Sequence, residues 1–142
     1  MPARDVLVTE RAGMARSVAV GPHRIAADQP VPVGGDAGPN PFEFVLAGLG
    51  TCTSMTLRMY ADRHGWPLCD VRVRLRFDDP AVVREIFLEG DLDDEQRRRL
   101  MSVAERCPVH RMLSAALPIT TVAAEIGGQT AEAADTVQKQ QK

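Results

Sequence analysis

The 142-residue chain is poor in aromatic side chains, since Trp and Tyr occur once each and Phe occurs four times. This supply is too small for the stacking platform on which single-stranded nucleic acids bind. The formal net charge of −2 at pH 7 also excludes the positive field that attracts a phosphate backbone. The composition therefore argues against nucleic acid as a partner and fits an ordinary globular domain.

The chain has only three cysteines, an odd number, and it lacks an apolar N-terminal signal segment. A secreted scaffold held by disulfides is therefore disfavoured. We expect a cytoplasmic protein, because in a reducing compartment paired cysteines are more often catalytic or metal-binding than structural. Hydroxyl side chains interrupt the most apolar stretch, so no membrane span is expected.

That apolar stretch, residues 38–60, predicts a long central helix. Asn40 can cap the helix and Pro41 suits its first position. The helix is expected over residues 41–64, because a glycine and a proline that stop helices follow it. It is apolar nearly all round, which is typical of a buried helix. Cys52 lies near its middle and is expected to be buried.

The other predicted elements do not alternate regularly between strand and helix. Strands are predicted at residues 4–10, 16–20, 23–27, 68–79, 82–92 and 118–126, and further helices at residues 95–106 and 107–116. This order predicts one α+β domain with antiparallel sheets over residues 1–126, followed by a flexible tail at residues 127–142. The apolar helices carry more surface than one small sheet covers, so we expect an intertwined homodimer.

Two of the cysteines lie in contexts that bear on reactivity. Cys107 precedes Pro108 at a predicted helix start, where open backbone N–H groups favour a thiolate. Cys52 lies too far along its helix for such help, and burial raises the pKa of a thiol. The two could be a reactive cysteine and its resolving partner, or both could simply fill core space. Cys69, at the start of a strand, is expected to be a packing residue.

Two other chemistries have weaker support. Cys107 and His110 have the Cys-x-x-His spacing of half a zinc site, and Cys52 could add a third ligand. No second paired motif exists, so a metal is not expected. A Ser-His-Asp site is disfavoured because the chain has no Gly-x-Ser-x-Gly elbow and its three histidines are scattered.

Two separated motifs and the order of elements resemble the OsmC/Ohr family of osmotically induced and organic-hydroperoxide-resistance proteins. The first is Asn40-Pro-Phe-Glu43 with Cys52 nine residues after the glutamate, and the second is Cys107-Pro-Val-His110. The resemblance covers about residues 4–126 and is greatest for the OsmC-like branch with Cys-Pro-Val-His at the second cysteine. It implies an intertwined homodimer with long helices at its centre, wrapped by sheets. It also implies hydroperoxide reduction without a metal, haem or flavin cofactor.

The resemblance further implies a role for each site residue. Cys52 would be the peroxidatic thiol that attacks a small organic hydroperoxide, and Cys107 the resolving thiol that closes a disulfide. An external dithiol would then restore both thiols. In the family, an arginine from the first strands, held by a glutamate at the start of the central helix, activates the thiolate. Glu43 matches that glutamate, although classical Ohr members place it ten residues before the cysteine; Arg16 matches the arginine, with Arg11 as the alternative.

Three functions follow from this resemblance. The first is a thiol-dependent peroxidase for organic hydroperoxides, and for hydrogen peroxide, in oxidative stress defence. The second is a non-catalytic dimer that binds a small apolar ligand, which the irregular spacing of Glu43 favours. The third is a structural dimer with inert thiols. Peroxide consumption that is lost in Cys52→Ser would separate the first from the others.

Overall fold

The computed structural model describes residues 3–124 of the chain. Two antiparallel sheets and three helices make up this part, so the predicted α+β class is confirmed. The elements are β1 (Val6–Glu10), β2 (Arg16–Val20), β3 (His23–Ala27), α1 (Pro41–Arg63), β4 (Leu68–Asp78), β5 (Ala81–Gly90), α2 (Asp94–Ala104) and α3 (Pro108–Ser114). We call residues 6–27 the N-terminal sheet and residues 41–114 the helical body.

The N-terminal sheet is a meander of three strands in the order β1-β2-β3. Gly21, with φ of 55°, makes the tight turn between β2 and β3. The pairing register places five apolar side chains on one face of the sheet: Val6, Val8, Val18, Val20 and Ile25. Within the described residues, the three strands make their extensive contacts with one another and not with a helix, so this apolar face is left uncovered.

Helix α1 begins where the sequence predicts. Asn40 accepts a hydrogen bond from the Glu43 backbone N–H at 2.9 Å, and the Glu43 carboxylate accepts one from the Asn40 N–H at 3.1 Å, which completes a capping box. The helix is buried along one stripe rather than all round, because its most extensive contacts within the described residues are with β4, α2 and α3. The buried residues are Leu49, Gly50, Thr53, Leu57 and Ala61.

The β4–β5 hairpin lays one face on the helices. Its inward face is apolar at every position except Arg84, and its outward face carries paired charges such as Arg74 and Glu85. Gly50 of α1 lies so close to Leu75 of β4 that a Cβ there would meet the leucine side chain at 2.6 Å. A larger residue at position 50 would require the Leu75 side chain to move, so the glycine permits this close approach of helix and sheet.

The core lies between α1, α2 and the inner face of the hairpin. Its buried members are Leu57, Ala61, Leu68, Leu92, Leu100, Val103 and Ala104. The arginine run at residues 97–99 is predicted to be a solvated helix face, which is wrong for Arg97. The Arg97 guanidinium is half-buried and donates to the carbonyls of Leu88, Gly90 and Leu92, so it ties α2 to the end of β5.

The last predicted strand is not formed over residues 118–124. These residues are exposed and have no neighbouring strand among the described residues to supply ladder hydrogen bonds, which a strand needs for stability. Residues 125 and 126 lie outside the described part of the chain, as does the tail predicted to be flexible.

Candidate active site

The structure brings together the two cysteines that the sequence singles out. Cys52 lies on α1 and Cys107 immediately precedes α3, at its N-cap position. Each thiol lies close enough to the other to shift its pKa, and the Cys52 sulfur also lies 4.0 Å from the hydroxyl oxygen of Thr56. Cys107 is fully buried, whereas Cys52 is half-buried, so the expectation that Cys52 is buried is wrong. The accessible thiol is therefore on the long helix and the inaccessible one behind it.

The environment moves the pKa values of the two thiols in opposite directions. Burial and the hydrogen bond with Cys107 raise the pKa of Cys52 above its usual value. Burial also raises the pKa of Cys107, but a hydrogen bond from the Cys52 thiol and the backbone amides of His110 and Val109 outweigh it, and its pKa lies below the usual value. Cys107 makes no side-chain capping hydrogen bond of regular geometry, so these backbone N–H groups lower its pKa through their positive partial charge at the helix start. The first negative charge on the pair therefore belongs to Cys107.

A guanidinium joins the two elements that carry the cysteines. Arg84 of β5 donates through Nη1 to the hydroxyl oxygen of Thr53 at 3.1 Å. Its Nη2 lies 3.1 Å from Nδ1 of His110. Thr53 is the residue after Cys52 and is fully buried, and it donates its own proton to the Leu49 carbonyl at 2.7 Å. Arg84 thus connects α1 to α3 beside the thiols.

A cavity of about 320 Å³ opens beside this cluster. Its lining includes Arg84, His110 and Ser114, together with the apolar residues Leu49, Pro80, Val82 and Leu113. Neither cysteine lines this cavity, but Leu49 is three residues before Cys52 and His110 is three residues after Cys107, so two of its lining residues are near neighbours of the cysteines along the chain. Its mixed lining suits a small molecule with a compact apolar body and a polar end.

The charged residues implied by the family resemblance lie elsewhere in the chain. Glu43 caps α1 about 13 Å along the helix axis from Cys52, as nine residues of helical rise require. Arg16 donates to the Gly13 and Ala15 carbonyls and lies 3.5 Å from Glu10, all within the N-terminal sheet and its turn. Arg11 is exposed on the same turn. The single chain does not bring Glu43 to Arg16, and their joint role stays a prediction.

A family model described as "OsmC-like protein" matches residues 34–122, which include Glu43 and both site cysteines. The chain belongs to the OsmC family. A comparison with curated protein sequences gave no significant match.

Solved structures of OsmC-like proteins share the fold. The chain is 16% identical to an OsmC-like protein from Mycoplasma pneumoniae, with a TM-score of 0.70 over 81% of this chain and 89% of that one. An organic hydroperoxide resistance protein OsmC from Legionella pneumophila is 19% identical, with a TM-score of 0.58 over 80% and 91% of the two chains. A Vibrio cholerae protein described as a hydroperoxide resistance protein, with captopril in one of its active sites, is 20% identical, with a TM-score of 0.54 over 80% and 86%. At these identities the likeness establishes the fold and nothing finer.

Reasoning from the sequence missed Arg84 in this OsmC-family site. The signal was present, because Arg84 alternates with Val82, Ile86 and Leu88 and thus falls on an otherwise apolar strand face. A charge at such a position has to find partners in the interior. The resemblance drew attention to arginines of the first strands instead.

Two other expectations concern the remaining thiol and metals. Cys69 is exposed rather than packed, and its sulfur lies 3.9 Å from the Pro67 carbonyl oxygen. Within residues 3–124, no three His, Cys, Asp or Glu side chains come together as a metal site would require. In the same range, no helix is long and apolar enough to cross a membrane.

Proposed function

We propose that this OsmC-family protein is a thiol peroxidase that reduces small organic hydroperoxides through Cys52 and Cys107. The observation that carries the proposal is the pair of neighbouring thiols, one accessible and one buried, that shift each other's pKa, with a partly apolar cavity lined by the nearby residues Leu49 and His110. Membership of a family whose relatives include hydroperoxide resistance proteins supports it.

The accessible thiol acts first in this scheme. Once Cys107 has lost its proton, the Cys52 thiol passes its own proton to the Cys107 sulfur as the Cys52 sulfur attacks the terminal peroxide oxygen. The O–O bond breaks, Cys52 becomes a sulfenic acid, and the alkoxide leaves and takes up a proton to form the alcohol. The Cys107 sulfur then attacks the Cys52 sulfur, releasing water and forming a disulfide. An external dithiol of a reducing cytoplasm returns two electrons and two protons to the pair.

We further propose that the working form is a homodimer. The apolar face of the N-terminal sheet is uncovered in the single chain, with Val8 56% and Ile25 42% exposed. Arg16 lies on this same face, since it pairs with Glu10 and Ala27 in the register that also aligns Val8, Val18 and Ile25. Seating this face on a second subunit would bury it and would carry Arg16 toward the partner's helices, where Glu43 could hold it.

Steady-state consumption of cumene hydroperoxide with a dithiol reductant tests the peroxidase. Wild-type protein should turn over, and Cys52→Ser should lose activity by about a thousandfold, because no other described thiol lies beside Cys107. Cys69→Ser is the matched control and should equal wild type. Equal consumption by wild type and Cys52→Ser would refute the peroxidase and leave ligand binding in the cavity as the function to test.

A further inference from the structure

Arg84 lies on the inward face of β5, where the other side chains are apolar. It lies opposite Leu75 in the β4–β5 register, on the face whose other members, such as Ile86 and Leu88, pack against the core. Its side chain is half-buried. Partly burying a charge costs free energy unless the charge is paired or hydrogen-bonded. The position therefore points to a function for the guanidinium.

Arg84 takes no part in the ion pairs that the described residues of the hairpin form. Glu85 and Glu89 pair with Arg72, Arg74 and Arg76 on the outward face. Within residues 3–124, no carboxylate lies within 4.0 Å of the Arg84 guanidinium. Its charge is therefore not neutralised by a carboxylate of this part of the chain, and its hydrogen bonds go to Thr53 and His110, which are near neighbours of the two cysteines in the sequence.

The two partners of Arg84 fix the proton positions at the site. A guanidinium N–H can only donate, so the Nδ1 atom of His110 at 3.1 Å has to accept. The ring proton of His110 is then on Nε2, and His110 lines the cavity. The Thr53 hydroxyl oxygen accepts a hydrogen bond from Arg84. Its single hydroxyl proton can then be donated to the Leu49 carbonyl or to the Cys107 sulfur.

We propose that Arg84 is the positioning cation of the thiol site, which clamps α3 onto α1 and sets His110 as an Nε2–H donor toward a peroxide in the cavity. This inference rests on the proposed peroxidase function and adds a residue that acts from within the same chain. The His110 N–H donates a hydrogen bond to the peroxide oxygen on which negative charge develops, and no proton leaves the ring. The apolar lining holds the alkyl or aryl group of the hydroperoxide.

The first experiment compares Arg84→Met with Arg76→Met. The control removes the same charge from the outward face of the neighbouring strand, where Arg76 is 3.7 Å from Glu85. Nitrogen-15 spectra of the histidine rings report the tautomer, and His110→Asn assigns the His110 signal by its absence. We expect the Nε2–H tautomer in wild type and in Arg76→Met, and a loss of that preference in Arg84→Met. An unchanged His110 tautomer in folded Arg84→Met overturns the proposal.

The second experiment measures the clamp without peroxide. Diamide oxidises two nearby thiols to a disulfide and is itself reduced to the hydrazine, so its rate reports how well the thiols are placed. Arg84→Met should close the disulfide about tenfold more slowly than wild type, as the loss of a charge-assisted hydrogen bond predicts. Arg84→Lys, which keeps the charge but not the fork, should fall in between and guards against a Met variant that fails to fold. Equal rates in all three overturn the clamp.

The third experiment isolates the donor. His110→Asn keeps an acceptor near the Nδ1 position for Arg84 but removes the Nε2–H, so diamide closure should stay near the wild-type rate. The kcat for cumene hydroperoxide should fall about tenfold with little change in KM, because the lost hydrogen bond strengthens as charge develops. An unchanged kcat overturns the donor role. If wild type consumes no peroxide, the proposed function fails by itself, and the tautomer and diamide results still decide the clamp.

Discussion

The helical body and the N-terminal sheet differ in how much of their apolar surface is buried within the chain. The body buries Leu57 and Leu100 completely and holds both site cysteines together with Arg84. The sheet leaves apolar side chains on β1 more than half exposed. One described chain therefore brings the two cysteines together, whereas the apolar face of the sheet stays uncovered in it and, in the proposed homodimer, would be covered by the partner.

The largest expected effect is on the core of the helical body. Leu100→Ala should lower the free energy of unfolding by about 2–5 kcal/mol, because its side chain is fully buried. Leu7→Ala, on β1, should cost less than about 0.5 kcal/mol, since Leu7 is 58% exposed on the face opposite the apolar one. Urea titrations of the two variants measure both values. Similar losses would contradict the division between body and sheet.

The next effect concerns assembly. Val8→Glu places a charge on the uncovered apolar face and should weaken the dimer about tenfold or more, because a charge in an apolar interface costs free energy when it is unpaired. Thr9→Glu places the same charge on the other face and should leave the dimer intact. Sedimentation at several concentrations reports the association of each. A monomeric wild type, or equal behaviour of the two variants, would contradict the proposed use of the sheet.

The thiol pair offers a sharper test of the body. In a Cys69→Ser background, ultraviolet absorbance of the thiolates should rise in two separated steps, the first below the usual thiol pKa and the second above it. Cys52→Ala removes the thiol that stabilises the Cys107 anion, so the remaining step should move up. Cys107→Ala removes the neighbour that opposes ionisation of Cys52, so the remaining step should move down. Shifts of the opposite sign would reverse the assignment of charge.

A substitution of Glu43 has the smallest expected effect on stability, and it separates the capping role of Glu43 from its proposed role in activity. Glu43→Gln preserves the capping box and should change the free energy of unfolding by less than about 0.5 kcal/mol. Peroxidase kcat/KM should still fall about tenfold if Glu43 holds Arg16 in the proposed dimer, because Gln cannot form that ion pair. Asn40→Ala is the control that removes the cap, and it should cost about 1 kcal/mol. Unchanged activity in Glu43→Gln would leave Glu43 a cap and nothing more.

Local rules explain why much of the fold could be predicted from the sequence. Asn40 and Pro41 mark the start of α1, and the alternation from Val71 to Phe77 fixes which face of β4 points inward. The strand expected at residues 118–126 is not formed over residues 118–124, because a pleated segment needs a neighbouring strand, which no local pattern reveals. The approach of Cys52 to Cys107, and the bridge that Arg84 makes between Thr53 and His110, are likewise properties of tertiary packing, since separate elements supply these residues.

Disulfide mapping after exposure to peroxide tests the central claim most directly, namely that one chain assembles the reactive pair. Reduced protein is treated with one equivalent of cumene hydroperoxide, blocked with an alkylating reagent, digested without reduction and analysed by mass spectrometry. We predict a linked peptide pair containing Cys52 and Cys107, an alkylated Cys69, and migration of the undigested protein as a single chain on a non-reducing gel. A disulfide that involves Cys69, a link between two chains, or three alkylated thiols would contradict the claim.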